Sequence, residues 1–335
     1  GALRAVSLDD RYALERGAVF LSGTQALVRL ALDQRRRDAR AGLATAGFVS
    51  GYRGSPLGGY DLALWQAKPA LDAAHVRFAP GLNEELAAAA VWGTQQTEVF
   101  GGSRYDGVFG IWYAKNPGVD RAGDALKHAN AAGTAPLGGV LAISGDDPGA
   151  SSSTLPNQCE PAFIAAAMPV LYPASVAELL EFGLFGFALS RYAGVWVGLK
   201  TVADTVESTA TVELPAERTF AAPADCALPP GGVHARWPDD RWSQDERLHR
   251  YRLPAAVAFA RANGIDRALR RGKEARLGIV AAGKSHLDVR EALRLLGIDE
   301  RAAGELGIAL YKPGLVWPLS SRRSAISGMT RSLAS

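Results

Sequence analysis

Asn83–Gly102, NEELAAAAVWGTQQTEVFGG, reads as one helix, with Asn83 placed to cap its start and the Gly101–Gly102 pair placed to stop it. Just before it, His75–Phe78 reads as a short strand, and just after it Gly107–Ala114 reads as a longer one. Strand–helix–strand units of this kind build parallel sheets covered by helices. The helix body, Ala87–Val91, is small and apolar, so a neighbour must approach it closely. Two acids, Glu84 and Glu85, open the first turn, where carboxylates complement the positive end of a helix. Successive helix residues point about 100° apart, so only one of the two can face inward. A buried acid on an alanine face serves packing poorly and acid–base chemistry well.

The same rhythm extends in both directions. Ser22 caps a helix running to about Arg40; Thr45–Ser50 is a strand, and a helix starts at Tyr60. Beyond the opening unit, helices across Ala122–Ala132, Pro161–Ala167 and Val176–Arg191 alternate with strands at Gly139–Ser144, Val170–Tyr172 and Val195–Lys200. The fold expected is α/β, a parallel sheet with helices on both faces, and its ligand side lies beyond the strand C-termini. From Glu207 the rhythm fails in a Pro- and charge-rich stretch that reads as a linker with a few docked aromatics. A helix at Pro254–Leu269, a strand at Arg276–Ala281, a helix at His286–Leu296 and a strand at Gly307–Tyr311 then open a second, incomplete α/β unit. The expected boundaries are 1–206 for the first domain, 207–258 for the linker, 259–319 for the second domain and 320–335 for a polar tail.

Composition narrows the function. The 335 residues carry a net charge of +3 and no Lys/Arg stripe, so a nucleic-acid partner is not expected. No apolar run has membrane-spanning length, and two cysteines outside any CxxC pair, Cys159 and Cys226, give no iron–sulfur or zinc site. Scarce cysteine places the protein in the cytoplasm. The five histidines, His75, His128, His234, His249 and His286, form no HExxH or triad order and read as structural or surface residues.

The loops after the strands carry the chemistry. Gly51–Gly59 holds four glycines around Gly54-Ser55-Pro56 and is not a phosphate-binding P-loop. Lys115, in Tyr113-Ala-Lys-Asn-Pro-Gly118, stands at a strand end where a cation can pair with a carboxylate. The acidic, hydroxyl-rich loop Ser144–Ser153 suits a hard cation, although Asp146 and Asp147 serve equally well as turn caps.

Taken together, six collinear blocks resemble the long fused bacterial indolepyruvate:ferredoxin oxidoreductases, within the thiamine-diphosphate-dependent 2-oxoacid:ferredoxin oxidoreductases. The blocks are VFLSGTQALVRL, AGFVSGYRGSPLGGYD, APGLNEELAAAAVWGTQQ, YAKNPGVDRAGDALKHAN, SGDDPGASSSTLPNQ and IVAAGKSHLDVREAL, spread from about Leu3 to Leu319. The resemblance implies that residues 1–206 form the pyrimidine-binding domain for thiamine diphosphate and that 259–319 begin a transketolase C-terminal-like domain. It implies that Glu84 bonds the aminopyrimidine ring nitrogen and helps to remove the thiazolium proton. Gly54 and Pro56 would flank the cofactor, Ser55 would contact the 2-oxoacid, and Lys115 would hold its carboxylate. The activity implied is oxidative decarboxylation of aryl 2-oxoacids to acyl-CoA, with coenzyme A as acceptor and electrons passed to ferredoxin.

The family holds magnesium and the diphosphate in a separate domain, through a Gly-Asp-Gly motif that Gly145-Asp146-Asp147 lacks. No metal is therefore assigned to this chain. Magnesium and iron–sulfur clusters would come with domains absent here, in cis or in trans, and the chain alone would be inactive. With no match after Trp317-Pro318-Leu319, the sequence reads as the truncated N-terminal portion of a larger enzyme, possible as a homodimer. The competing readings are a non-catalytic binding or assembly module and a non-oxidative thiamine-dependent decarboxylase.

Overall fold

The computed structural model describes residues 6–214, 218–270 and 276–320. Its frame is a seven-stranded sheet ordered Leu315–Trp317, Val170–Leu171, Trp196–Val202, Val140–Asp146, Val108–Lys115, Ala46–Gly51 and Val76–Phe78. Six of these strands run parallel, and Leu315–Trp317 pairs antiparallel with Val170–Leu171. Register aligns Gly51 with Tyr113, Lys115 with Gly145, and Asp146 with Val202, so the chemistry-bearing loops leave the sheet at one end. The expected fold class holds, with helices on both faces.

On one face, Gly23–Arg40 and Val176–Ala193 pack on each other and on the sheet around Leu27, Leu30, Phe109 and Phe185. Ser22 starts the first of these helices with a capping box to Gln25, and Ser175 caps the second through the Glu178 amide. The other face carries Glu84–Thr94 and Gly123–Ala132 over Trp112, Val140 and Trp196. Here the alanine run finds its close neighbour: a Cβ on Gly110 would come within 2.7 Å of Val91 Cγ1. Glycine in the strand lets the helix backbone settle low on the sheet.

Three expectations need correcting. The helix beginning at Glu84 ends at Thr94, well before the glycine pair, and a separate short helix occupies Thr97–Phe100. Gln95 is the reason: fully buried, its side chain accepts from the Ala135 and Gly139 amides and donates to the Val108 carbonyl, which turns the chain off the helix axis. The stretch read as a linker contains structure. Thr209–Glu213 pairs antiparallel with Ala18–Ser22, while Arg241–Glu246, a π-helical turn at Arg247–Arg252 and Leu253–Ala262 form a helical run. Phe220 packs on the core, but Trp237 and Trp242 are exposed. Finally, the helix expected over Pro254–Leu269 ends at Ala262. Arg267–Arg270 is a strand, paired antiparallel with Ile308–Lys312 in a three-stranded sheet completed by Leu277–Val280. The tail expected at 320–335 lies outside the described residues beyond Leu319 and Ser320. Among the described residues, no helix is long and apolar enough to cross a membrane.

Candidate active site

Glu84 is the first residue of its helix, which Asn83 caps by accepting the Leu86 amide at 2.8 Å. Of the two first-turn acids it is the inward one: Glu84 is 7% exposed, whereas Glu85 faces solvent. Two contacts fix it. Its backbone carbonyl accepts from Trp112 Nε1 at 2.9 Å, and its side chain lies against Gly118, where a Cβ would come within 2.5 Å of Glu84 Cγ and 2.7 Å of Oε1. Glycine at 118 is thus what leaves room for the acid. Its Oε2 is buried and has no hydrogen-bond partner, and the nearest cation, Arg121 on an otherwise exposed side chain, stands 3.8 Å away. Buried carboxylate oxygens are normally satisfied, and this one, at the end of the sheet where the chemistry-bearing loops leave it, has no hydrogen bond.

The other expected site residues gather at the same end. Gly54 backs onto the Lys115 side chain, and Pro56 lies against Gly145, so the first and fourth loops and the end of Val108–Lys115 meet. Ser55 is exposed between them. Lys115 is half-buried and donates from Nζ to the Ser152 carbonyl at 3.0 Å, a contact to the fourth loop that sequence reasoning did not foresee. Asn116, next along, is buried with Nδ2 unpartnered.

The acidic loop divides its two aspartates. Asp147 caps a turn, accepting from the Ser152 and Ser151 amides, which hold its carboxyl down at about 2. Asp146 is 1% exposed and belongs to a buried cluster. It accepts from Ser144 Oγ and the Cys159 amide, both at 2.8 Å, and lies 3.3 Å from Lys200 Nζ. Lys200 also bonds Glu160 at 2.5 Å and sits 4.9 Å from the centre of the Tyr172 ring. Burial raises the Asp146 carboxyl despite the neighbouring ammonium, and it raises the Cys159 thiol well above its usual value. Lys200 is held above its ordinary range, because Asp146 and Glu160 outweigh the burial that would lower it.

Asp146, Cys159 and Glu160 present donor atoms within 4.8 Å of one another, the one such group among the described residues. The Lys200 ammonium already fills that space, so the cluster does not suit a divalent cation. Sequence reasoning missed this cluster. The apolar Val195–Lys200 strand gave no sign that its last residue turns inward.

Known proteins can now be set beside this geometry. The family model for the indolepyruvate oxidoreductase domain matches residues 267–327. Indolepyruvate oxidoreductase subunit IorA of Methanothermobacter marburgensis is 26% identical over 322 residues, covering 93% of this chain and 45% of that protein. Its counterpart in Methanothermobacter thermautotrophicus is 25% identical over 333 residues, covering 96% and 47%. The chain therefore spans about half the length of the curated relatives it matches. Among solved structures, 2-oxoglutarate:ferredoxin oxidoreductase from Magnetococcus marinus, determined with 2-oxoglutarate, coenzyme A and succinyl-CoA bound, matches with a TM-score of 0.64 at 17% identity, over 91% of this chain and 55% of that one. A transketolase from Pichia stipitis matches with a TM-score of 0.50 at 11% identity, over 92% and 37%. At such identities these two structures speak for the fold. Over nearly its whole length, this chain is similar to indolepyruvate oxidoreductase subunits, the family that its six collinear blocks resemble.

Proposed function

We propose that this chain is the part of a thiamine-diphosphate-dependent 2-oxoacid:ferredoxin oxidoreductase that grips the cofactor's aminopyrimidine ring, with an aryl 2-oxoacid, indolepyruvate, as substrate. The observation that carries the reading is the buried, unpartnered Oε2 of Glu84 at the C-terminal end of a parallel sheet. The residues fit the pyrimidine end of the cofactor. They do not fit its magnesium and diphosphate end, since the buried carboxylates that could serve there already hold Lys200.

When bound, the cofactor supplies the electron sink that lets the bond to the substrate's carboxylate break. Glu84 would exchange a proton with the pyrimidine nitrogen at Oε2, and Trp112, Asn83 and Gly118 hold it in place for this. Ala87 and Ala88, on the same helix, are buried in the apolar cluster on this face of the sheet. Lys115 spends one ammonium hydrogen on Ser152 and keeps others for a substrate carboxylate. The exposed Ser55 hydroxyl would meet the oxo group across Gly54 and Pro56. Coenzyme A, ferredoxin, magnesium and iron–sulfur clusters would engage other domains, and the isolated chain should not turn over.

The test is Glu84→Gln in the complete enzyme. Loss of about 10²–10⁴-fold in turnover, the usual worth of a positioned acid–base group, together with weakened thiamine diphosphate binding, is expected. Turnover at the unsubstituted rate would overturn the reading and leave an assembly module in its place. Decarboxylation without ferredoxin reduction would indicate the non-oxidative alternative.

A further inference from the structure

At the opposite end of the sheet from Glu84, a cleft of about 640 Å³ opens beside the edge strand Val76–Phe78. Its floor is made by residues that begin strands, Ala46, Val76 and Val108, so it is separate from the loops of the candidate active site. That volume lies within the range of small-molecule sites.

The lining is unusual for an open sheet edge. Trp65 lines it, half exposed and in edge-to-face contact with Phe78, with ring centres 4.9 Å apart. Tyr105 also lines it, and its ring lies 5.9 Å from that of His75. His75 holds φ at +56°, a left-handed conformation that non-glycine residues seldom adopt, and this turn sets its ring against Tyr105. Four aromatic or imidazole rings, those of Trp65, Phe78, His75 and Tyr105, therefore line the cleft.

The same lining carries three cations, Lys68, Arg77 and Arg104, against one acid, Asp72. Lys68 and Asp72 pair with each other at 2.5 Å, which leaves the two guanidinium groups in excess. Among the described residues, neither Arg77 nor Arg104 has an ion pair or a side-chain hydrogen bond. Arginine recognises planar anions through paired donors and stacks on aromatic rings. An aromatic lining with two uncommitted guanidiniums matches a ligand that is itself flat, aromatic and negatively charged.

We infer that this cleft binds a planar aromatic anion, either a purine nucleotide or an aryl carboxylate, at a site distinct from the one around Glu84. The inference owes nothing to the thiamine reading, and its test does not use activity. Calorimetric titration of the full chain with AMP and with indole-3-acetate separates the two sources, with adenosine and indole as uncharged controls. Saturable binding of either anion, weakened about tenfold or more by combined Arg77→Gln and Arg104→Gln, and by Trp65→Leu, is expected. Both arginines are exposed, so their loss leaves the core intact. Glu84→Gln should leave this binding unchanged. The inference fails if neither anion saturates, if the uncharged controls bind as tightly, if the arginine variant binds like the original chain, or if Glu84→Gln abolishes binding.

Discussion

Glu84 and Asp146 are both carboxylates buried at the C-terminal end of one parallel sheet, and the structure treats them in opposite ways. Asp146 has every oxygen engaged, by a hydroxyl, a backbone amide and an ammonium. Glu84 has an oxygen with no hydrogen-bond partner and only a long ion pair, 3.8 Å, to the exposed Arg121. Exposure does not separate them, because both are buried. Their partners do. A buried acid whose bonds all close within the protein holds elements together, and one left open at a ligand edge faces something from outside.

The largest effect should come from breaking the closed cluster. Asp146→Ala strands the Lys200 ammonium and the Cys159 amide in the interior, and removing one member of a buried pair costs about 3–5 kcal/mol. Chemical denaturation of the variant should show this loss. A cost below about 1 kcal/mol would mean that Asp146 is as dispensable to the fold as Glu84 is argued to be, and the contrast would vanish.

A second architectural anchor lies away from both acids. Arg252 is fully buried and, among the described residues, has no ion pair to a carboxylate. Its guanidinium donates to the carbonyls of Val233, Asn130, Ala131 and Ala132, closing the end of the Gly123–Ala132 helix against the supposed linker. Burial lowers it to about 9, with Arg247 adding to the effect. Arg252→Met should cost about 2–3 kcal/mol, since it leaves buried carbonyls unpaired. Thermal unfolding would measure it, with the Glu84 site predicted to stay intact.

How much of this was legible in the sequence depends on distance along the chain. The strands were readable because apolar runs such as Gly139–Ser144 end in polar loops, and a parallel sheet buries both faces of a strand. That only one of Glu84 and Glu85 could turn inward was readable from the helical spacing, but the choice of Glu84 came from the family resemblance and not from the pattern of its own helix. The Asp146–Lys200 pair was not readable, because its members sit on separate strands brought side by side only by the sheet order. Gln95 was equally silent: an amide in a helical pattern gives no hint that it will bind three backbone groups elsewhere. Arg267–Arg270 reads as helix by composition and becomes strand because Ile308–Lys312 offers it an edge.

A pH measurement sharpens the comparison from outside it. His286, 2% exposed and with Nδ1 unpartnered, is a buried orphan like Glu84, on the helix Gly283–Leu295. Burial lowers it to about 4, aided by Lys312, Arg290 and Arg267 and opposed by Glu178. In the unfolded chain it takes up its proton near the usual 6.5. Its contribution to stability is therefore complete above pH 6.5 and drains away as the pH falls toward 4. The slope within that window is at most about 1.4 kcal/mol per pH unit. In His286→Gln the difference in slope should disappear. A variant that keeps the full acid sensitivity of the original chain would place the effect on other groups.

The smallest effect on stability should belong to Glu84→Gln, and it tests the contrast most directly. The substitution gives up a charge at a helix N-terminus, worth about 0.3–1 kcal/mol. It also gives up a long ion pair to an exposed arginine, worth about 0–1 kcal/mol. Against these, it removes the cost of keeping an unpaired carboxylate oxygen out of water while preserving the side chain's shape against Gly118. The terms nearly cancel, so the midpoint of denaturation should move by less than about 1 kcal/mol in either direction. If Glu84→Gln instead costs as much as Asp146→Ala, then its carboxylate is architecture too, and the open oxygen faces nothing beyond the protein.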